Sequence, residues 1–456
     1  MGDFGRFFSS SWHRSVWRSI GSDALFRRIL KNTSFLFSSS VAASGLGFVQ
    51  SVVVARVLGV GGYGFWALLT TYVMVVQLVV DFRVWETVTK YLSEFMVKGD
   101  TARAMATVKL AYAVDFLTGI LSFGIAVAAA PVAGCIFGRE DFAGYAWIVA
   151  LSSLVATVNG SSTAILRVFN RFKWISFWEV ARSVVSLALV GAVALMGYGL
   201  KGIAVAYVLT SSFSALLLTT VSFSTVGARL PGTLKTGSIS LLKDRTVEIA
   251  SFLMHTNISA FWPLITRNTD VLILGMFRGS TEVGFLQLAK NFVFVIAKFQ
   301  EPLYYSIFPE ISKLWAEGDV KRFKSFLKRL TFMTASAFIP LGLGVFFLAD
   351  PMIRLFYGDE FGPAVTALRI MVWGVIASCI FVWLRPTIIG MGKPKAGTVV
   401  GGIGAAVYLA ASFILVPRWG YLGSAAVNLI PSALGIFLLI VYISRKTALS
   451  GESRPK

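Results

Sequence analysis

Thr266-Arg267-Asn268-Thr269-Asp270 and, twenty residues further on, Lys290-Asn291 both stand inside apolar segments long enough to cross a bilayer. A charge at that depth costs roughly 2.5–3.5 kcal/mol on insertion scales, so it is kept where it faces a cavity or a partner. These stretches predict an all-α polytopic membrane protein that frames a basic, water-accessible cavity. The rest of the chain agrees. Of its 456 residues, 56% are hydrophobic and 14% charged. Apolar runs of about 20 residues recur along it, and each reads as a transmembrane helix. Lys and Arg number 42 against 22 Asp and Glu. Part of that excess is a topology signal, so it implies no nucleic acid partner.

Twelve spans are expected, at 33–57, 63–82, 107–130, 143–166, 175–197, 202–225, 248–277, 283–308, 330–349, 363–389, 396–416 and 421–443. The seventh holds Pro263, where a kink or break is expected. One set of connecting segments and ends carries 30 Lys and Arg, the other only five: Arg139, Lys201, Arg278, Arg354 and Arg418. That asymmetry predicts a cytoplasmic (inner) membrane protein with both termini in the cytoplasm. No cleavable signal peptide is read at the start. Residues 1–32 are basic, with Phe4, Phe8, Trp12, Val16 and Ile20 at roughly helical spacing. They read as an interfacial helix or as a partly disordered tail. Cys135 and Cys379 have neither metal nor redox spacing. His13 and His255 are too few for a metal site.

The chain also repeats itself. Gly64-Phe65 returns as Gly284-Phe285, Pro131 as Pro351, and Ile136-Phe137-Gly138 as Phe356-Tyr357-Gly358, all at an offset of 220. Asp81 aligns with Glu301. Nearby offsets pair Gly99-Asp100 with Gly318-Asp319, and Gly199-Leu200-Lys201-Gly202 with Gly420-Tyr421-Leu422-Gly423. Six spans is an even number, so both repeats enter the membrane in the same direction and form a V-shaped two-lobe bundle. The expected division is a first lobe at 33–225, a linker at 226–247, a second lobe at 248–443 and a tail at 444–456.

Helical spacing puts Gln287, Lys290, Phe294, Lys298 and Glu301 on one face of the eighth span. Its partner, the second span, offers Thr70, Met74, Gln77 and Asp81. The first span shows Ser40, Ser44, Gly47 and Ser51, with Arg56 near the outer end. The seventh shows His255, Ser259, Thr266 and Asp270. Spans one, two, seven and eight are therefore the expected cavity walls, and the other eight are blander. Candidate binding residues are Arg267, Lys290, Lys298 and Arg56, with the amides Asn268 and Asn291. Guanidinium and ammonium groups there suit an anionic, phosphate-bearing solute. Duller readings stand beside these. Arg267 could neutralise Asp270, and Lys298 could neutralise Glu301. Arg56 could snorkel to the interface. Lys290 has no acid near it in sequence. Glu179 and Arg182 read as a structural pair, and Asp115 and Asn159 as polar glue between helices.

No Gly-rich phosphate loop followed by Lys-Ser/Thr is present, so the chain is not expected to hydrolyse ATP, and no nucleophile–base set stands in a loop. No cofactor is expected.

Several stretches, in this order, resemble one family. They are Ala55-Arg56-Val57-Leu58-Gly59 with Tyr63-Gly64, then Asp270-Val271-Leu272-Ile273-Leu274-Gly275 with Val283-Gly284-Phe285. Phe308-Pro309-Glu310-Ile311-Ser312-Lys313-Leu314 with Gly318-Asp319 follows, then Gly390-Met391-Gly392-Lys393-Pro394-Lys395 and Gly420-Tyr421-Leu422-Gly423-Ser424-Ala425-Ala426. The chain resembles the polysaccharide-exporter and O-antigen flippase branch of the multidrug/oligosaccharidyl-lipid/polysaccharide transporter superfamily. The resemblance implies a flippase that carries a polyprenyl-diphosphate-linked oligosaccharide across the membrane by alternating access. It also implies coupling to an ion gradient (H+ or Na+) or to the membrane potential. Asp270 is then the first candidate for the coupling acid, followed by Asp81 and Glu301. Membrane lipids, and polysaccharide polymerase or assembly proteins, are the implied partners. The peptidoglycan-precursor branch, expected to carry two further spans, fits less well. Two other readings remain: a cation-coupled multidrug antiporter of the same superfamily, and a membrane-embedded glycan polymerase or ligase. The first should have an acidic, aromatic cavity; the second should have a sizeable outer loop.

Overall fold

A computed structural model describes residues 24–80, 84–231 and 237–452. The described residues form helices and short turns, with no strand among them. The first repeat contains α1 (Ala24–Val80), α2 (Val84–Val97), α3 (Thr101–Phe137), α4 (Phe142–Ala156), α5 (Val158–Val168), α6 (Phe172–Met196) and α7 (Gly199–Arg229). A 3-10 turn at Ile239–Arg245 leads into the second. That repeat contains α8 (Thr246–Arg278), α9 (Ser280–Lys298), α10 (Glu301–Glu317), α11 (Val320–Tyr357), α12 (Ala364–Ile380), α13 (Leu384–Gly390), α14 (Pro394–Val427) and α15 (Leu429–Glu452). Among the described residues, nine helical stretches are long and apolar enough to cross a membrane. The first of them is two spans folded at Gly59, and α8 and α9 stand where the seventh and eighth spans are expected. The helical backbone of α8 is continuous through Pro263, so the break that proline predicts is absent.

The two repeats share their joints as well as their order. Gly59 (φ 64°, ψ 178°) turns the first span into the second, and Gly279 (φ 79°, ψ −177°) turns the seventh into the eighth. Only a residue without a Cβ settles in that region, so the same hinge needs glycine twice. Asp100 caps α3 by accepting the Arg103 amide at 2.9 Å, and Asp319 caps α11 by accepting the Arg322 amide at 2.9 Å. Each cap satisfies one orphan donor of a helix start. Where helices break inside a span, side chains take up the freed groups. In the tenth span the Ile380 carbonyl, at the end of α12, accepts from Thr334 Oγ1 at 2.8 Å.

Packing distinguishes the two ends of the bundle. At the end holding Gly59 and Gly279, one buried core joins both repeats, from Val54, Tyr63 and Leu68 to Val283, Leu286, Tyr357 and Phe361. At the opposite, Lys- and Arg-rich end the cores are separate. One is built on Val88, Tyr91, Met105 and Val226, the other on Ile311, Phe323, Leu327 and Ile388. The lobes therefore meet at one end and part at the other. The start of α8 crosses the divide: Ile249 belongs to the first lobe's core. The turn before it is tied down by Arg245 on Glu94 at 2.7 Å and by Arg103 on Asp244 at 3.0 Å. Lys98 first, and then Arg245, holds the Glu94 carboxyl below the usual carboxylate range. That tie is present above the ordinary carboxylate pKa and is lost as pH falls through the lowered one.

The closed end depends on a backbone-to-backbone approach. A Cβ at Gly64 would fall on the Ser280 carbonyl oxygen and the Gly284 amide, and one at Gly284 on the Val60 carbonyl oxygen. Gly64→Ala is therefore expected to cost about 1–3 kcal/mol of stability by overpacking. Thermal unfolding in detergent checks it. Gly124→Ala, where a Cβ meets open space, should melt with the parent.

Candidate functional site

Where the lobes part, α1, α6 and α9 enclose a cavity of about 420 Å³. Ser40, Ser44, Gly47 and Ser51 form its α1 wall, the polar stripe expected from sequence. Asn291, Phe294 and Lys298 face it from α9. At a rise of about 1.5 Å per residue, Ser51 lies ~12 Å and Ser40 ~28 Å along the helix from the Gly59 hinge. The cavity thus runs from mid-membrane toward the Lys- and Arg-rich end. The third wall is unforeseen: Glu179 and Arg182 of α6 line the same space. They were read as a pair in a bland span. Glu179 instead accepts from Ser39 Oγ of α1 at 3.0 Å, and Arg182 lies 5.9 Å from the Trp178 ring centre. The signal that could have found them is the one that singled out Lys290, a charge at membrane depth. Lys298 Nζ sits 5.3 Å from the centre of the Phe294 ring.

The cavity is roofed at the closed end. Ser51 Oγ and Tyr357 Oη share a hydrogen bond of 2.7 Å across the two lobes. Asn291 Nδ2 donates to Tyr63 Oη at 2.6 Å, again between lobes. Phe48 meets Phe292 and Phe356 edge-on at 5.1 and 5.6 Å. Arg56 belongs to this roof and not to the cavity. Its guanidinium donates to the Leu355 and Phe356 carbonyls at 2.6 and 2.7 Å, at the C-terminal end of α11. That is a favourable place for a cation, because last-turn carbonyls lack helical donors. The cavity role predicted for Arg56 is corrected accordingly.

Lys290 is corrected too. Its Nζ lies 2.7 and 2.9 Å from the two Asp270 carboxylate oxygens. Asn428 Nδ2 donates to the same carboxylate at 2.8 Å, and the Asp270 amide donates to Tyr408 Oη at 3.2 Å. Asp270 is fully buried. Sequence spacing could not show this pair, since twenty residues and the Gly279 hinge separate its members. α8 and α9 run antiparallel from that hinge, nine residues to Asp270 and eleven to Lys290, which brings both to one depth. The pair ties α8 and α9 to the α14–α15 junction within the second lobe. The side chains of Arg267, Asn268 and Glu301, and all of Asp81, lie outside the described residues. Of the predicted binding residues, Lys298 and Asn291 line the cavity, now joined by Arg182. Among the described residues, two cations, one carboxylate and several hydroxyls converge on a space at bilayer depth, a set suited to a phosphate-bearing headgroup with a polar body.

A family model described as "Polysaccharide biosynthesis protein" matches residues 29–315, and one described as "MatE" matches 260–416. The chain is 21% identical over 418 residues to the "Probable low-salt glycan biosynthesis flippase Agl15" of Haloferax volcanii, covering 90% of this chain and 82% of that one. Among solved structures, the fold is similar to an inward-facing multidrug resistance MATE family transporter of the MOP superfamily. That match has a TM-score of 0.74 and 13% identity, and covers 90% of this chain and 96% of the other. It is also similar to the lipid II flippase MurJ in an inward closed conformation, with a TM-score of 0.67 and 16% identity over 91% and 89% of the two chains.

Removing one member of a buried ion pair strands the other, typically at a cost of about 3–5 kcal/mol. Lys290→Ala is therefore expected to unfold at markedly lower temperature. Lys290→Met combined with Asp270→Asn should recover most of the loss, because no buried charge is left unpaired. Melting of the three proteins in one detergent decides it. A parent-like Lys290→Ala would mean that the pair does not hold the lobe together.

Proposed function

The chain belongs to the polysaccharide biosynthesis protein family, and from that premise we propose that it flips a polyprenyl-diphosphate-linked oligosaccharide across the cytoplasmic membrane. The observation that carries this reading is the roofed cavity with Arg182 and Lys298 on its walls. A diphosphate entering from the open end meets a guanidinium from the first lobe and an ammonium from the second. Serine hydroxyls of α1 and Asn291 offer hydrogen bonds to the sugar, while the polyprenyl chain stays in lipid. Both termini and the open end face the cytoplasm on the charge asymmetry of the loops. Closing the open end and parting the glycine contact would expose the same walls to the other side, which is alternating access. The protein is a transporter, not an enzyme. Polysaccharide polymerase or assembly proteins are the partners this role calls for.

Coupling to H+ or Na+ through Asp270 would require Lys290 to leave its carboxylate. A cationic drug is a poor match for a cavity whose described lining carries two cations and one carboxylate, which disfavours the multidrug antiporter reading.

The test uses purified protein in liposomes. A polyprenyl-diphosphate oligosaccharide is placed in one leaflet, and its arrival in the other is followed with a membrane-impermeant glycosidase. Charged hydrogen bonds contribute about 1.5–3 kcal/mol. Arg182→Ala and Lys298→Ala are therefore each expected to slow flipping by roughly 10- to 100-fold while melting with the parent. Efflux of a cationic dye without movement of the lipid-linked glycan would overturn the reading in favour of the antiporter.

A further inference from the structure

A second cationic cavity lies apart from the central one, in the first lobe at its Lys- and Arg-rich end. Its volume is about 420 Å³, and Val168, Phe169, Asn170, Arg171 and Arg229 line it. We propose that this cavity binds the phosphate headgroup of an anionic phospholipid.

The argument begins with the turn between α5 and α6. Asn170 takes a left-handed conformation (φ 57°), which asparagine tolerates better than most residues. The Phe169 amide makes the last helical bond, to Ile165 O at 3.1 Å, and the reversal then lets the Arg171 amide donate back to Leu166 O at 2.7 Å. The Trp174 amide then donates to Arg171 O at 3.0 Å, opening α6. Arg171 is thereby fixed by backbone bonds on both sides, so its side chain leaves a rigid corner. Arg171 Nε is shut away from solvent and has no acceptor among the described residues. A buried donor without an acceptor costs free energy. Arg229, exposed in the last turn of α7, brings a second guanidinium to the same space. No carboxylate is among the lining residues. Two guanidiniums with Val168 and Phe169 beside them match a phosphate oxygen set at the head of an acyl chain.

The depth is right for a lipid. Trp174 and Phe177, directly after the corner, are 44% and 55% exposed and meet edge-on at 5.9 Å. An exposed Trp at the start of a membrane helix marks the headgroup level of a bilayer. Lys173 beside them adds a third cation, its Nζ 5.7 Å from the centre of the Phe35 ring. Basic pockets between membrane helices at this level bind anionic headgroups. The proposal rests on the membrane-spanning reading and not on the transported substrate. A bound lipid would hold the rim of the first lobe at the leaflet surface, beside the end of the bundle that opens.

The test is native mass spectrometry of the full chain in detergent, titrated with phosphatidylglycerol or with phosphatidylcholine. The parent should retain phosphatidylglycerol at concentrations at least about tenfold lower than phosphatidylcholine, one bidentate charged contact being worth about 1.4 kcal/mol or more. Arg171→Gln with Arg229→Gln should abolish that preference. Arg229→Gln alone, at an exposed position that leaves the corner intact, should weaken it severalfold. Equal retention of both lipids by the parent, or an unchanged preference in either variant, would overturn the proposal. A third arm adds inorganic phosphate at millimolar concentration. Complete displacement of phosphatidylglycerol by it would assign the site to free phosphate and overturn the lipid assignment; a retained preference supports the lipid.

Discussion

The approach of Gly64 to Ser280 and Gly284 is the contact on which the arrangement of the lobes depends. Helices in lipid gain little from burying apolar surface, so close packing must supply the attraction. Two glycines at equivalent places in the two repeats let backbone meet backbone. Everything on the closed side follows from that proximity. Tyr357 comes within hydrogen-bonding distance of Ser51, Asn291 reaches Tyr63, and Arg56 reaches the last carbonyls of α11. These polar contacts are few and span the two lobes, so they can be exchanged together without disturbing either lobe's own core.

The lobes themselves are held differently. The second is tied by a buried knot of Asp270, Lys290 and Asn428. The first uses hydroxyls, with Tyr112 bonded to both Ser162 and Ser222 at 2.8 and 3.0 Å. Asp270 already accepts from an ammonium and an amide. It is a neutralised group, and using it as a coupling acid means taking the ammonium away first.

The sequence made the fold legible because membrane helices announce themselves by length and the repeat by its glycines and caps. Gly64 and Gly284, and Asp100 and Asp319, recur at nearly one offset in the sequence; the structure adds the hinge glycines Gly59 and Gly279, and each pair does the same mechanical work in both repeats. The polar stripe of α1 was legible for the same reason: spacing along one helix fixes a face. Partners on different helices were not. Lys290 lacks an acid nearby in sequence and has one at 2.7 Å in space. Arg56, in sequence either a cavity cation or a snorkelling one, instead donates to the last carbonyls of α11. Glu179 and Arg182, two opposite charges three apart, read in sequence as a local pair. Their partners are on α1 and one turn away on α6, and only the packing of α6 against α1 brings both to the cavity.

The placement of the two cavity cations bears on how the lobes could move. Arg182 belongs to the first lobe and Lys298 to the second, and both face the space that separates the lobes at the open end. Their like charges disfavour closer approach, weakly in water and more strongly as the space narrows and dries, and the Glu179 carboxylate on the same wall offsets part of that repulsion. A diphosphate between them reverses the sign of that term. The closed arrangement would then bind the anion better than the open one, because both cations reach it only when the gap is small. A ligand shifts an equilibrium only by its differential affinity for the two states. Cations shared between the lobes supply such a difference, whereas the same two charges on one lobe would bind the anion equally well open or closed.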